Sequence, residues 1–251
     1  MIRLVRAEWT KLFTTRVWIG LLVGACVLAG GFAALLTGFA GNPESGIPAI
    51  GTPQFEQLAL AQATGSNVLF LILGIIGMTQ EYRHRTATPT FLTAPRRWRV
   101  VVAKLIAYAL VAVPFAIVVL AVNYLVVAVY AGARGAAPSL TAANLEVLAT
   151  SGLALVIYAL IGVGFGALLR NQVGAIVGGL VYLFVIEPVI RSIPATSGAY
   201  KWMPGGGLEA MTATFDGPDL LGAWQGGLLL VGYGLLAALL GTLLAVRRDV
   251  V

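Results

Sequence analysis

Charge is what this sequence has least of. Only 10% of its 251 residues are Asp, Glu, Lys or Arg, against roughly 25% in an ordinary soluble domain. A water-soluble globule is excluded on that ground. With a mean hydropathy of +0.92, repeat solenoids and disordered binders are equally poor fits, because neither needs long charge-free runs. Cysteine and histidine are nearly missing: Cys26 and His84 stand alone, so no disulfide framework, Cys/His metal cage or bis-histidine haem site can be assembled within one chain. Lysine is scarce too. Lys11, Lys104 and Lys201 are followed by leucine, leucine and tryptophan, which leaves no Gly-x-x-x-x-Gly-Lys-Ser/Thr phosphate loop. His-Glu-x-x-His, Gly-x-Ser-x-Gly and Cys-x-x-Cys are also missing, so the chain is expected to be no enzyme by itself and to hold no metal or cofactor.

What the sequence has instead is long apolar runs. A bilayer-crossing helix consumes roughly 20 apolar residues, and runs of this kind predict spans near 17–40, 57–80, 105–131, 147–169, 171–190 and 220–246, the fifth interrupted only by Glu187. The first is too long for the apolar core of a signal peptide and follows an extended basic segment, so it reads as a retained helix. The expected fold is an all-α polytopic membrane protein, residues 1–251 forming one transmembrane domain.

Six crossings place both termini on one side, and the basic residues choose the side. The side holding the termini carries 13 of the 16 Lys and Arg residues, while Arg134, Arg191 and Lys201 fall on the other. Glu8, Glu81 and Asp249 share the basic side and the other seven acids oppose them, giving net charges of +10 and −4. The expectation is a multi-pass protein of the cell (plasma or inner) membrane with cytoplasmic termini and external loops near 41–56, 132–146 and 191–221. Topology accounts for the basic excess, so nucleic acid is not an expected partner. Small-residue pairs such as Gly20 with Gly24, Gly162 with Gly166, Gly174 with Gly178 and Gly222 with Gly226 suggest close helix packing.

Two segments are not spans. In residues 1–16, Ile2, Val5, Trp9, Leu12 and Phe13 recur at helical spacing with Arg3, Arg6 and Thr10 on other faces, the pattern of an interfacial amphipathic helix in contact with membrane lipids. Trp9 suits the interface, and Arg6, Lys11 and Arg16 suit anionic headgroups. Such a helix serves either as a plain anchor or as part of a working surface. Between spans two and three lies the one sizeable loop on the basic side, from Glu81 through Arg83, His84, Arg85, Thr86, Thr88, Pro89, Phe91, Leu92, Pro95, Arg96, Arg97 and Arg99 to Lys104. Thr88-Pro89 is a cap and first-turn pair, and Pro95 limits the run, so a short helix near 89–94 is predicted. The loop is either a docking surface for another cytoplasmic protein or a solvated basic loop set by topology.

These features together resemble type-2 ATP-binding-cassette exporter permeases. The likeness rests on an amphipathic N-terminal segment with Glu8, Trp9, Lys11 and Leu12, on six spans, and on the loop residues Glu81, Thr86, Leu92, Pro95, Arg96 or Arg97, and Lys104. Many members carry Gly-Thr after the loop glutamate, where this sequence has Arg85-Thr86. The resemblance implies that residues 2–16 form an elbow helix and that residues 87–94 form a coupling helix inserted into a separate ATPase subunit. It also implies ATP and Mg in that partner, and a second permease copy, identical or different, around the translocation path.

Within the spans, Glu187 is the one ionisable candidate at bilayer depth. Either it pairs with Arg191 or faces a vestibule, or it lines the external end of a transport path. Asn67 and Asn123 offer hydrogen bonds to a substrate or to neighbouring helices. The segment 191–221 is unusually apolar for a loop, and is either a surface loop or a re-entrant gate. Rival functions are a membrane interaction or sensory protein that moves nothing, an ion-coupled transporter resting on Glu187, and a lipid enzyme, which lacks a cluster of ionisable groups on one membrane face.

Overall fold

The computed structural model of the chain describes residues 1–83, 97–212 and 220–247. Every regular element among them is helical, and six helical stretches are long and apolar enough to cross a membrane. The protein is thus an all-α polytopic membrane protein. Helix α1 spans Ile2–Thr14 and α2 Val17–Phe39. The second span is broken: α3, Pro53–Ala61, passes through a 3-10 turn at Gln62–Ser66 into α4, Asn67–Arg83. Helices α5, Arg97–Ala133, and α6, Ala142–Leu169, follow. The fifth span joins α7, Gln172–Val181, through a π turn at Tyr182–Ile186 to α8, Glu187–Ser192. Short helices α9, Ser197–Tyr200, and α10, Pro204–Thr212, precede the last span, α11, Ala223–Arg247.

The span ends differ from the hydropathy windows for local reasons. Span two starts at Pro53, because Thr52 accepts a hydrogen bond from the Phe55 N–H and proline fills the first helical position, a favoured start. Helix α5 begins at Arg97, eight residues before the apolar run, since a helix need not stop where its residues become polar. Spans four and five are joined by two residues. Arg170 closes α6 in the left-handed region (φ 52°), and Asn171 caps α7 by accepting from the Gly174 N–H.

Backbone contacts set the core. A Cβ added at Gly74 would lie 1.9 Å from the Ala159 carbonyl oxygen, and one at Gly162 would lie 2.1 Å from that of Leu71, so α4 and α6 touch main chain to main chain. Gly164 and Gly241 bring α11 onto the next side of α6 in the same way. Of the small-residue pairs expected to pack, Gly162 and Gly166 are both used against α4, and Gly226 meets Gly207. Gly20 has open space around it, and Gly174 and Gly178 meet nothing closer than 3.5 Å. Leu, Val and Ile side chains along α2, α5, α7 and α11 remain exposed, Val23, Leu125, Val173 and Leu235 among them, as surfaces meeting hydrocarbon should.

The spans alternate in direction. The end of α4 and the start of α5 lie beside α1, and α6 and α11 end on that same level. At the opposite end Arg134 donates to the carbonyls of Thr37, Gly38 and Ala40. That contact satisfies last-turn groups of α2 that would otherwise be orphaned and places positive charge at the negative helix end. Glu56 there accepts from the Ser139 N–H and hydroxyl and the Asn144 amide, tying α3 to the start of α6.

Candidate functional site

At the α1 end, four charged side chains converge. Glu8 and Leu12 form the buried side of α1. From Glu8, Oε1 accepts from Lys11 Nζ at 2.7 Å and Oε2 from Lys104 Nζ at 2.5 Å. Glu81, in the last turn of α4, accepts from Lys11 at 2.7 Å and lies 3.3 Å from Lys104. Lys104 is wholly buried in α5 and also donates to the Gly77 carbonyl at 2.9 Å. Two carboxylates and two ammoniums thus meet in one quartet.

A buried ion loses several kcal/mol of hydration, so it is tolerated only where partners and hydrogen bonds replace the water. Lys104 meets that condition through three acceptors. Lys11 is 41% exposed at its side chain. Burial alone would lower its pKa, but hydrogen bonds to Glu8 and Glu81 outweigh that and hold it above the ordinary 10.5. The quartet therefore fastens the amphipathic helix to the two span ends from which the 84–96 segment departs. An aromatic chain extends the contact: Trp9 and Phe13 rings lie 5.1 Å apart, Phe13 and Trp18 5.2 Å, and Trp18 and Phe115 6.1 Å. Ile2, Trp9 and Phe13 remain exposed, so the apolar stripe divides between the bundle and the surroundings.

Glu8, Lys11, Leu12 and Glu81 are thus brought together, with Lys104 as their hub. Trp9 stands at the edge and Arg83 is exposed at the end of α4. Arg85, Thr86, Thr88, Phe91, Leu92, Pro95 and Arg96, and the side chain of Arg97, lie outside the described residues, as does the short helix expected near 89–94.

The opposite end holds a second site. Pro188 lacks an N–H, so the Phe184 carbonyl loses its helical donor, and the backbone widens until the Glu187 N–H bonds the Tyr182 carbonyl in π register. Single π turns of this sort recur at functional sites. The turn directs Glu187 inward, where it is 4% exposed and accepts from the Gly205 N–H at 2.7 Å. The pairing with Arg191 suggested by their spacing does not form: Arg191, 42% exposed at its side chain, binds Glu209 at 2.5 Å and stacks over Tyr200 at 5.2 Å. Burial, then the Glu209 carboxylate, hold the Tyr200 phenol above its usual pKa.

A cavity of about 320 Å³ opens beside Glu187, bordered by Gln62, Thr64, Asn67, Tyr200 and Glu209. Asn123 is elsewhere. Buried in α5, it donates to the Ala59 and Leu60 carbonyls at the break after α3, at 3.2 and 3.0 Å, and so it braces helices. The apolar segment after α8 folds as α9 and α10, with Gly206, Gly207 and Leu208 buried and Gly207 against Gly226 and Leu230 of α11. Its described part packs against the bundle.

Sequence reasoning missed Lys104 as the hub because its partners lie 96 and 23 residues away; a lone lysine at the start of a span was the available signal. No protein-family model and no curated protein matches the chain.

Proposed function

We propose that this chain is the transmembrane permease subunit of an ATP-powered exporter, with both termini in the cytoplasm of a plasma or inner membrane. The observation that supports this reading best is the buried quartet. It ties α1 to the ends of α4 and α5, so a force applied to segment 84–96 between them reaches three helices at once. In an ordinary anchor helix the burial of Glu8, Glu81 and Lys104 would be an unneeded expense of hydration. The chain has no phosphate loop, so ATP and Mg belong to partner ATPase subunits, and a second permease copy completes the path. Closure of the ATPase pair would press on the segment carrying Phe91 and Leu92 and tilt the spans as bodies.

The experiment is affinity purification in mild detergent from the native membrane, wild type beside Phe91→Asp. The reading expects an ATPase with the wild type and its loss from the variant, whose bundle still purifies monodisperse. An ATPase retained by Phe91→Asp would rule out the coupling role of this segment.

A further inference from the structure

Glu187 stands apart from the other buried carboxylates of the fold. Glu8 and Glu81 are matched by Lys11 and Lys104, and Glu209 by Arg191, whereas Glu187 has no basic partner among the described residues. Its donors, the Gly205 N–H and the Tyr182 hydroxyl, are both neutral and do not balance a full charge. An ionised carboxylate at that depth lacks a counter-charge, which a ligand can supply.

The space beside it has two chambers of different chemistry. The polar one, about 320 Å³, borders Glu187, Asn67, Gln62 and Thr64. On the other side of the π turn lies a second of about 340 Å³, lined by Leu71, Ile161, Phe165, Tyr182 and Ala237. Leu183 borders both, and the adjacent Pro204 and Gly205 contribute one residue to each. The Tyr158 hydroxyl, on the wall of the apolar chamber, is buried and faces Asn67 of the polar one.

We propose that these chambers together bind an organic monocation with an apolar body, its charged nitrogen beside Glu187 and its rings or chain against Leu71, Phe165 and Ala237. An anion is disfavoured by Glu187, and a small inorganic cation leaves the apolar chamber unused. A neutral lipid leaves the carboxylate unmatched. The inference rests on the permease reading only for its role as exported substrate; binding itself requires neither ATP nor a partner.

The test uses the full chain in lipid nanodiscs without nucleotide, with ethidium as the probe and fluorescence polarisation as the readout. Saturable binding above that of empty nanodiscs is expected, weakened on the order of tenfold or more by Glu187→Gln through loss of the charge pair. Gly178→Leu, a helix position whose added Cβ would sit 3.6 Å from Phe165, fills the apolar chamber without touching Glu187 and should weaken binding comparably. Phenanthridine, the uncharged ring core of the probe, should compete poorly. Binding equal to empty nanodiscs, unchanged affinity in folded Glu187→Gln, unchanged affinity in Gly178→Leu, or equal competition by phenanthridine overturns the proposal. Should Glu187→Gln fail to fold, the other two arms decide. Loss of probe binding leaves the ATPase purification result standing, and an absent ATPase leaves the binding result standing.

Discussion

Lys104 on α5 and Glu8 on α1, 96 residues apart in sequence, meet at 2.5 Å in a setting where the lysine is wholly buried. Removing one partner of such a pair leaves the other charged in a poorly solvated site. Lys104→Met should therefore destabilise the protein by on the order of 3–5 kcal/mol. The double variant Lys104→Met/Glu8→Gln should recover part of that loss, because fewer charges remain unmatched. Thermal unfolding of the wild type, Lys104→Met, Glu8→Gln and the double variant in one detergent gives the coupling directly.

Lys11 predicts an alkaline dependence. Its pKa is raised above 10.5 in the folded protein by Glu8 and Glu81 against the opposing effect of burial. The stability it contributes is therefore fully present below pH 10.5 and falls as pH rises through the raised folded value. A melting series from pH 8 upward should show a drop at the alkaline end that is smaller in Lys11→Met. With its side chain 41% exposed, the effect is partly screened by solvent.

Gly162 and Gly20 make a contrasting pair. An alanine at Gly162 would place a Cβ 2.1 Å from the Leu71 carbonyl oxygen, and backbone cannot yield cheaply, whereas Gly20 has nothing within 4 Å. Gly162→Ala should sharply reduce the monodisperse fraction on size-exclusion chromatography, and Gly20→Ala should leave it unchanged.

Asn123→Leu should cost about 1–3 kcal/mol, since it removes a buried donor shared by the Ala59 and Leu60 carbonyls at the break in span two and lost buried hydrogen bonds carry that penalty. Faster amide exchange at Ala63–Asn67 would accompany it. A transport defect without any stability loss would instead assign Asn123 to the substrate.

Much of the architecture was legible because a bilayer demands long apolar runs, and those runs are plain to read. Helix limits were less so: Thr52-Pro53 and the polar start of α5 extend helices beyond hydrophobic windows. The Glu8, Lys11 and Glu81 positions were marked in sequence, but their convergence depends on tertiary pairing across 70 and 96 residues. Glu187 was recognisable as the exceptional charge in a span. Its separation from Arg191 follows from the Pro188 π turn, which regular helical spacing does not anticipate. The glycine pairs were visible, yet only the structure distinguishes Gly162, which meets backbone, from Gly20, which meets nothing.

The proposed permease requires a separate motor acting on this bundle at the α1 end. The most direct measurement is quantification of the polypeptides, and of ATP hydrolysis, in the native complex purified through a tag on this chain. A phosphate-loop ATPase should be present in equimolar amount, with hydrolysis in the same fraction. Complexes that consistently contain this chain with no nucleotide-hydrolysing companion would contradict it.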